Sequence, residues 1–397
     1  MKGVLPLLSQ LSTRHIGVGA VSISDQAKAN VLDVLDHHRL TYGKWTKEFE
    51  FQFAALHARR FACMVNSGTD ALRVGLAALK EKHAWPDGSE VIVPALTFVA
   101  SVNVILQNNL RPVFVDIDDY YGIDTKHIAA ILAHREAAAE TQPVAVMPVN
   151  LFGQVCDIEG LYIVRNFGLQ IITDSCEAMF VRGAAWGDIS CFSTYACHVI
   201  QTGVGGIATT DNPQLAELIR SYANHGRDGI YAGIDDALGD VETMSARFRF
   251  IRPGYSSRST EMEAAIGCAE LEEREANLYR RRAHAAALTV ALAALPLKLP
   301  KVRPGAESSW MMYPIRCRSA EERDRLMLHL EVHGIETRPL LPLLTQPYLR
   351  KMYGEIAANY PRAYEAETTG FYVGCHPHMD QGDITYMAEA FHSFYRE

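Results

Sequence analysis

Short apolar runs separated by amphipathic stretches fill the first two-thirds of the chain. The runs are Ala62-Cys63-Met64-Val65, Glu90 to Val93, Pro112 to Val115, Val144 to Val149, Leu169 to Thr173, Ile189 to Thr194 and Gly206 to Thr210. Their length and β-branched content predict strands buried on both faces. Between several of them the apolar positions recur at helical spacing. Leu72, Leu76 and Leu79 stand at i, i+4 and i+7 and mark one side of a helix. Alternating strands and helices predict a mostly parallel sheet covered on both faces. The last two runs flank Thr202-Gly203-Val204-Gly205-Gly206 and read as hairpin-like or edge elements.

A long helical pattern follows, from about Glu261 to Leu295, and stops at Pro296. Its middle, Glu270 to Arg282, is densely charged and reads as a solvated face. Beyond it, Trp310 to Cys317, a helix near Glu321 to His333, and Ile335 to Arg338 predict a smaller α+β unit. The expected division is 1–275 for the N-terminal segment and large domain, and 276–397 for the small C-terminal domain.

Composition narrows the function. The 397 residues, 48% of them hydrophobic, suffice for a large core and two domains. The net charge of −8 offers no electrostatic pull on nucleic acid or an anionic membrane. The longest apolar runs, such as Ala285 to Leu295, fall short of the ~20 residues that span a bilayer. Met1 to Gln10 lacks a signal-peptide layout, so a cytoplasmic enzyme is expected. None of the eight cysteines stands in a C-x-x-C pair, which argues against a zinc ribbon, a redox dithiol or an iron–sulfur motif. They read as reduced, mostly buried thiols, and no metal site is expected.

Three segments carry candidate chemistry. Asn66-Ser67-Gly68-Thr69-Asp70 joins a strand to the Leu72 helix. Its backbone N–H groups and hydroxyls could bind an anion, or Ser67 or Thr69 could simply cap the helix. Asp174, in Ile171-Ile172-Thr173-Asp174-Ser175-Cys176-Glu177, ends a strand where α/β folds place ligands, or else caps a following helix. His198 closes Phe192-Ser193-Thr194-Tyr195-Ala196-Cys197-His198, ahead of the glycine run. It could be an acid–base group beside a phosphate, or a satisfied, partly buried side chain.

In this order and spacing the segments resemble the DegT/DnrJ/StrS family, fold-type I pyridoxal-phosphate enzymes acting on nucleotide-linked keto sugars. The likeness extends through Val93-Pro94-Ala95-Leu96-Thr97-Phe98, Leu151-Phe152-Gly153-Gln154, His225-Gly226-Arg227-Asp228, Gly254-Tyr255 and Gly334-Ile335-Glu336-Thr337-Arg338. The resemblance implies an α/β fold-type I transferase, with a large, mostly parallel seven-stranded sheet and a smaller C-terminal α+β domain. It also implies a homodimer with cofactor sites at the interface. On the matching positions, Ser67, Gly68, Thr69 and Ser193 are expected around the cofactor phosphate, and Phe98 against the pyridine ring. Asp174 is expected at the ring nitrogen, and Glu177 near the ring hydroxyl, where the aminotransferases usually carry Gln. Ser256 takes the place of an Asn that reaches a phosphate across the dimer.

One departure matters most. The aminotransferases of the family carry a Schiff-base lysine five residues after the phosphate-binding Ser, and here that position is His198. No lysine occurs between Lys126 and Lys298. Imidazole forms no stable imine but moves protons near neutral pH, with an unperturbed pKa of about 6.5. The replacement resembles the sugar 3-dehydratase branch, and implies pyridoxamine or pyridoxal phosphate held without a covalent bond. On that analogy the C3 hydroxyl of a nucleotide-linked 4-keto sugar is removed with His198 as base and then acid, Asp174 sustains the pyridinium, and an amino donor such as glutamate regenerates the cofactor. His225, Arg227, Arg258 and Arg338 are the candidates to contact substrate. Aminotransferase-like chemistry, elimination or replacement on another small substrate, and a non-catalytic relative remain alternatives.

Overall fold

The computed structural model describes residues 14–228 and 248–396. The N-terminal stretch Met1 to Gln10, read above for an export signal, lies outside them. Seven strands form the main sheet: β1 Phe61–Val65, β2 Glu90–Pro94, β3 Arg111–Val115, β4 Ala145–Val146, β5 Gln170–Asp174, β6 Ile189–Ser193 and β7 Gly206–Thr210. Their order is β1-β7-β6-β5-β4-β2-β3. Only β7 runs against the others, pairing antiparallel with both β1 and β6. The expected hairpin-like pairing of β6 and β7 is present, but neither is an edge strand. The loop 194–205, which carries His198 and ends in the glycine run, returns the chain, and Gly206 lies opposite Val65 on one side and Ser193 on the other.

Both faces of the sheet are buried, and successive residues of one strand serve different cores. Val91 and Val93 pack with the helix Gly68–Lys82, whereas Ile92 packs with Ile128, Leu132, Leu161 and Val164 of the helices Thr125–Ala137 and Ile158–Arg165. Leu72, Leu76 and Leu79 are buried as their spacing predicts, each contributing ~1.5–3 kcal/mol by leaving water. Helix starts follow side-chain caps: Ser67, Asp124, Asp157 and Asn212 each accept from backbone N–H groups of the turn they open.

The long helix spans Glu261–Leu292 and opens with a capping box between Thr260 and Glu263. It runs unbroken past residue 275, where the domain boundary was expected. Its charged middle is not wholly solvated, since Glu270 and Arg281 are buried. Beyond it β8 Met312–Arg316, β9 Thr337–Pro339 and β10 Gly370–Gly374 make an antiparallel sheet in the order β8-β10-β9. A separate core joins that sheet to Leu288 and Leu292 of the long helix and to the helices Ala320–Val332 and Gln381–Phe394. Among the described residues no helix is long and apolar enough to cross a membrane.

Candidate active site

Strands β1, β5 and β6 end on the same side of the sheet, and their last residues and following turns build the site. Ser67 caps the helix Gly68–Lys82, its Oγ accepting from Asp70 N at 3.1 Å. The capping alternative therefore describes the Ser67 hydroxyl. The first N–H groups of any helix have no acceptor within it, and they carry its partial positive charge. Gly68 lies flush against the neighbouring strand: a Cβ there would stand 2.6 Å from Ser193 Cβ and 2.7 Å from Cys176 Sγ. A Cβ on Gly206 would likewise strike the Ser67 carbonyl. The reversed strand thus brings the helix start and buried Ser193 together.

Asp174 ends β5 and is buried. No helix starts between β5 and β6, so the helix-cap alternative does not apply. Its Oδ2 accepts from Ser101 Oγ at 2.8 Å and its Oδ1 from Cys176 N at 3.1 Å; Ser101 is in turn bonded to Thr97 at 2.9 Å. Burial pushes the Asp174 carboxyl up, and the hydrogen bonds from Ser101 and Cys176 pull it back. No cation is among the groups that shift it. Thr97 and Ser101 were not singled out from sequence, although their i, i+4 spacing behind the Pro94-Ala95-Leu96 turn was visible. Phe98, first residue before the helix Val99–Gln107, is 58% exposed although it borders this buried cluster.

Glu177 accepts from Phe152 N at 2.7 Å. Burial, with a smaller push from Asp174, raises its carboxyl to about 7, so a large share is protonated at neutral pH.

His198 sits half-buried in the loop between β6 and β7. Its Nδ1 lies 2.6 Å from the Cys176 carbonyl oxygen. A carbonyl only accepts, so Nδ1 carries the proton and Nε2 carries the lone pair. Burial pushes the imidazolium down to about 4, outweighing the carbonyls of Cys176 and Ser193 that favour it. The ring is therefore neutral at pH 7 and titrates well below the near-neutral range expected from sequence, because burial and the nearby charge of Arg281 both disfavour the imidazolium.

The remaining candidates divide into two groups. His225, Ser256 and Arg258 come together: Arg258 Nη2 lies 3.4 Å from His225 Nε2 and 3.3 Å from Ser256 Oγ. Buried Ser257, which the sequence reading passed over, ties this cluster to the phosphate-type turn, its carbonyl accepting from Asn66 N at 2.8 Å. Arg227 packs over Phe250 and Phe248, with 5.3 and 5.9 Å from guanidinium to ring centre. Arg338 pairs with Glu336 on the small-sheet side. Its charge opposes the upward push of burial on the pKa of both Tyr372 and Cys197, the latter being the residue before His198.

Residues 21–392 match the DegT/DnrJ/EryC1/StrS aminotransferase family. The GDP-perosamine synthase of Escherichia coli O157:H7 is 29% identical over 392 residues, covering 97% of this chain and 100% of that protein. The spore coat polysaccharide biosynthesis protein SpsC of Bacillus subtilis (strain 168) is 30% identical over 376 residues, covering 91% of this chain and 92% of that one. Among solved structures, the E. coli GDP-4-keto-6-deoxy-D-mannose-3-dehydratase with bound hydrated PLP superposes with a TM-score of 0.83 at 25% identity, covering 95% of this chain and 100% of that chain. The match runs through every strand and helix that builds the site, and the chain belongs to the DegT/DnrJ/EryC1/StrS aminotransferase family.

Proposed function

We propose that the protein uses pyridoxamine or pyridoxal phosphate, held without a covalent bond, to remove the C3 hydroxyl of a nucleotide-linked 4-keto sugar. The observation that carries this reading is His198 at the position of the family's lysine, neutral and with its lone pair fixed on Nε2.

The residues fit the cofactor. Gly68, Thr69 and Ser193 offer small size, N–H groups and a hydroxyl to a phosphate, and a side chain at 68 would strike Ser193 and Cys176 and force these groups apart. The exposed face of Phe98 suits a flat heteroaromatic ring. Asp174 is a buried carboxylate without a cation among the described residues that shift it, and a protonated ring nitrogen would supply one. Glu177, partly protonated, can give a hydrogen bond to a ring oxygen as Gln would. When bound, the pyridinium supplies an electron sink.

The chain's own groups then do the rest. Asp174 keeps the ring nitrogen charged. In its neutral form Nε2 of His198 would take a proton from the carbon bearing the cofactor's amino nitrogen and give it to the departing C3 oxygen, which leaves as water. Hydrolysis would free the deoxy ketone with that nitrogen lost as ammonia, and glutamate, giving up its own amino group, would restore the amino form. Such acid–base help typically contributes ~10²–10⁴-fold. In a homodimer, Ser256 of each protomer serves the phosphate of the other, and His225 and Arg258 beside it meet the substrate.

A second reading has support of its own: the curated relatives named GDP-perosamine synthase are similar over nearly the whole chain. It makes the product an amino sugar and leaves the absence of a lysine at position 198 unexplained. Absorbance of the protein loaded with pyridoxal phosphate, before and after glutamate, followed by analysis of the sugar product, tests the proposal. Loss of the aldehyde band and a deoxygenated product support it; an aminated product overturns it.

A further inference from the structure

Glu270 and Arg281 stand eleven residues apart on the long helix, about three turns at 3.6 residues per turn, and so share one face. Both turn inward onto the loop that carries His198. Arg281 Nη2 donates to the His198 carbonyl at 3.0 Å. Its Nη1 is within reach of the carbonyls of Met311 at 2.9 Å, Trp310 at 3.1 Å and Cys375 at 3.3 Å. Glu270 Oε2 accepts from Gln201 N at 3.2 Å, and the Gln201 side chain donates to Ser22 O at 3.2 Å. The segment from His198 to Gln201 is held at both ends.

A buried guanidinium costs desolvation, and this one faces main-chain oxygens rather than a carboxylate. Burial pulls it down to about 10, and its Nε finds no acceptor among the described residues. An apolar side chain at this helix position would avoid that cost. What the arginine adds is reach: its four carbonyls belong to the His198 loop, the approach to β8 and the residue after β10. The imidazole itself is fixed separately by Cys176 O, and the His198 N–H is satisfied by Tyr195 O at 2.9 Å.

We propose that Arg281, assisted by Glu270, is the positioning residue for His198. By holding the loop's main chain, it lets the ring keep its Nδ1–H tautomer and aim Nε2 into the cofactor site. This rests on the reading of His198 as the proton-transfer group. Arg281 acts through His198, and its geometry makes the aim of that ring depend on where the small sheet lies.

The test compares Arg281→Met, Arg281→Lys and Glu270→Ala with the parent protein, using two readouts. One is the ¹⁵N spectrum of the His198 imidazole in cofactor-free protein; the other is the rate at which glutamate converts the pyridoxal phosphate form. Arg281→Met is expected to mix the Nε2–H tautomer into the spectrum. It should also slow the conversion up to about 10²-fold at an unchanged glutamate KM, with partial rescue by Lys. In a His198→Asn background the same change should add nothing, because the arginine acts through the ring. Should Arg281→Met not fold, the Lys and Glu270→Ala variants answer by the same readouts. Folded variants with parental tautomer and rate overturn the proposal. If His198→Asn alone leaves the rate unchanged, the proton-transfer reading fails instead, and a tautomer shift in the arginine variants still reports positioning.

Discussion

His198 Nδ1 donates to the main-chain oxygen of Cys176 at 2.6 Å, two residues beyond Asp174. One short turn after β5 therefore fixes both the Asp174 carboxylate and the His198 imidazole, the two groups to which the proposed chemistry is assigned. The same bond decides the tautomer, because the carbonyl leaves Nε2 as the basic nitrogen.

Replacing His198 with Asn removes the titrating group while leaving an amide of similar reach. Turnover is expected to fall ~10²–10⁴-fold with little change in KM. In the parent enzyme the base is neutral above its folded pKa and becomes protonated as pH falls through it. The acid limb belonging to this group should thus lie near its lowered value of about 4 rather than at 6.5. A pH profile of kcat/KM for the free enzyme checks both statements.

Asp174→Asn keeps a partner for Ser101 but removes the buried charge. Without the carboxylate, the pKa of the bound cofactor's ring nitrogen is expected to drop by about 1–3 units, which an absorbance titration reads. Cofactor-free protein should melt no lower than the parent, since a buried carboxylate without a cation has been relieved.

Glu177 gives a stability prediction with a definite sign. Its carboxyl is raised from 4.5 to about 7 by burial, so between those values the folded state binds more protons than the unfolded state. The stability it contributes is complete below about 4.5 and is lost as pH rises through about 7. Glu177→Gln does not titrate. Relative to the parent, cofactor-free Glu177→Gln should gain stability between pH 5 and pH 8, on the order of 1–3 kcal/mol, measured by denaturant unfolding at each pH.

Gly68→Ala adds a methyl 2.6 Å from Ser193 Cβ and 2.7 Å from Cys176 Sγ. Overpacking of this kind costs about 1–3 kcal/mol. It should also push the strand ends apart and weaken cofactor binding, checked by thermal melting and by titration with pyridoxal phosphate.

Local signals made much of this architecture legible. The seven apolar runs of the main sheet all became strands, and the Leu72-Leu76-Leu79 stripe became a buried helix face, because burial on both sides leaves a direct imprint on composition. The reversal of β7 against β6 was legible in the glycine run between them, whereas its second antiparallel pairing, with β1, is long-range and nothing in Gly206 to Thr210 announces it. Asp174, Gly68 and His198 were visible because the order and spacing of their three segments resemble the family, although each alone had an ordinary capping or structural reading. Ser101 and Ser257 were not, since a buried hydroxyl that steadies a carboxylate or tethers a turn looks like any other serine. Arg281 was misread for a related reason: charge density in a helix normally means solvent, and only tertiary structure shows which member of the block turns inward. The His198 pKa likewise depends on how deeply its loop is covered, which spacing does not encode.

The most direct test of the central claim is the mass of the sugar formed when the protein, pyridoxal phosphate and glutamate are incubated with a nucleotide-linked 4-keto-6-deoxy sugar. The account predicts a product that has lost the C3 oxygen and carries no new nitrogen, formed by the parent and ~10²–10⁴-fold more slowly by His198→Asn. A product that keeps its C3 hydroxyl and gains an amino group would contradict it.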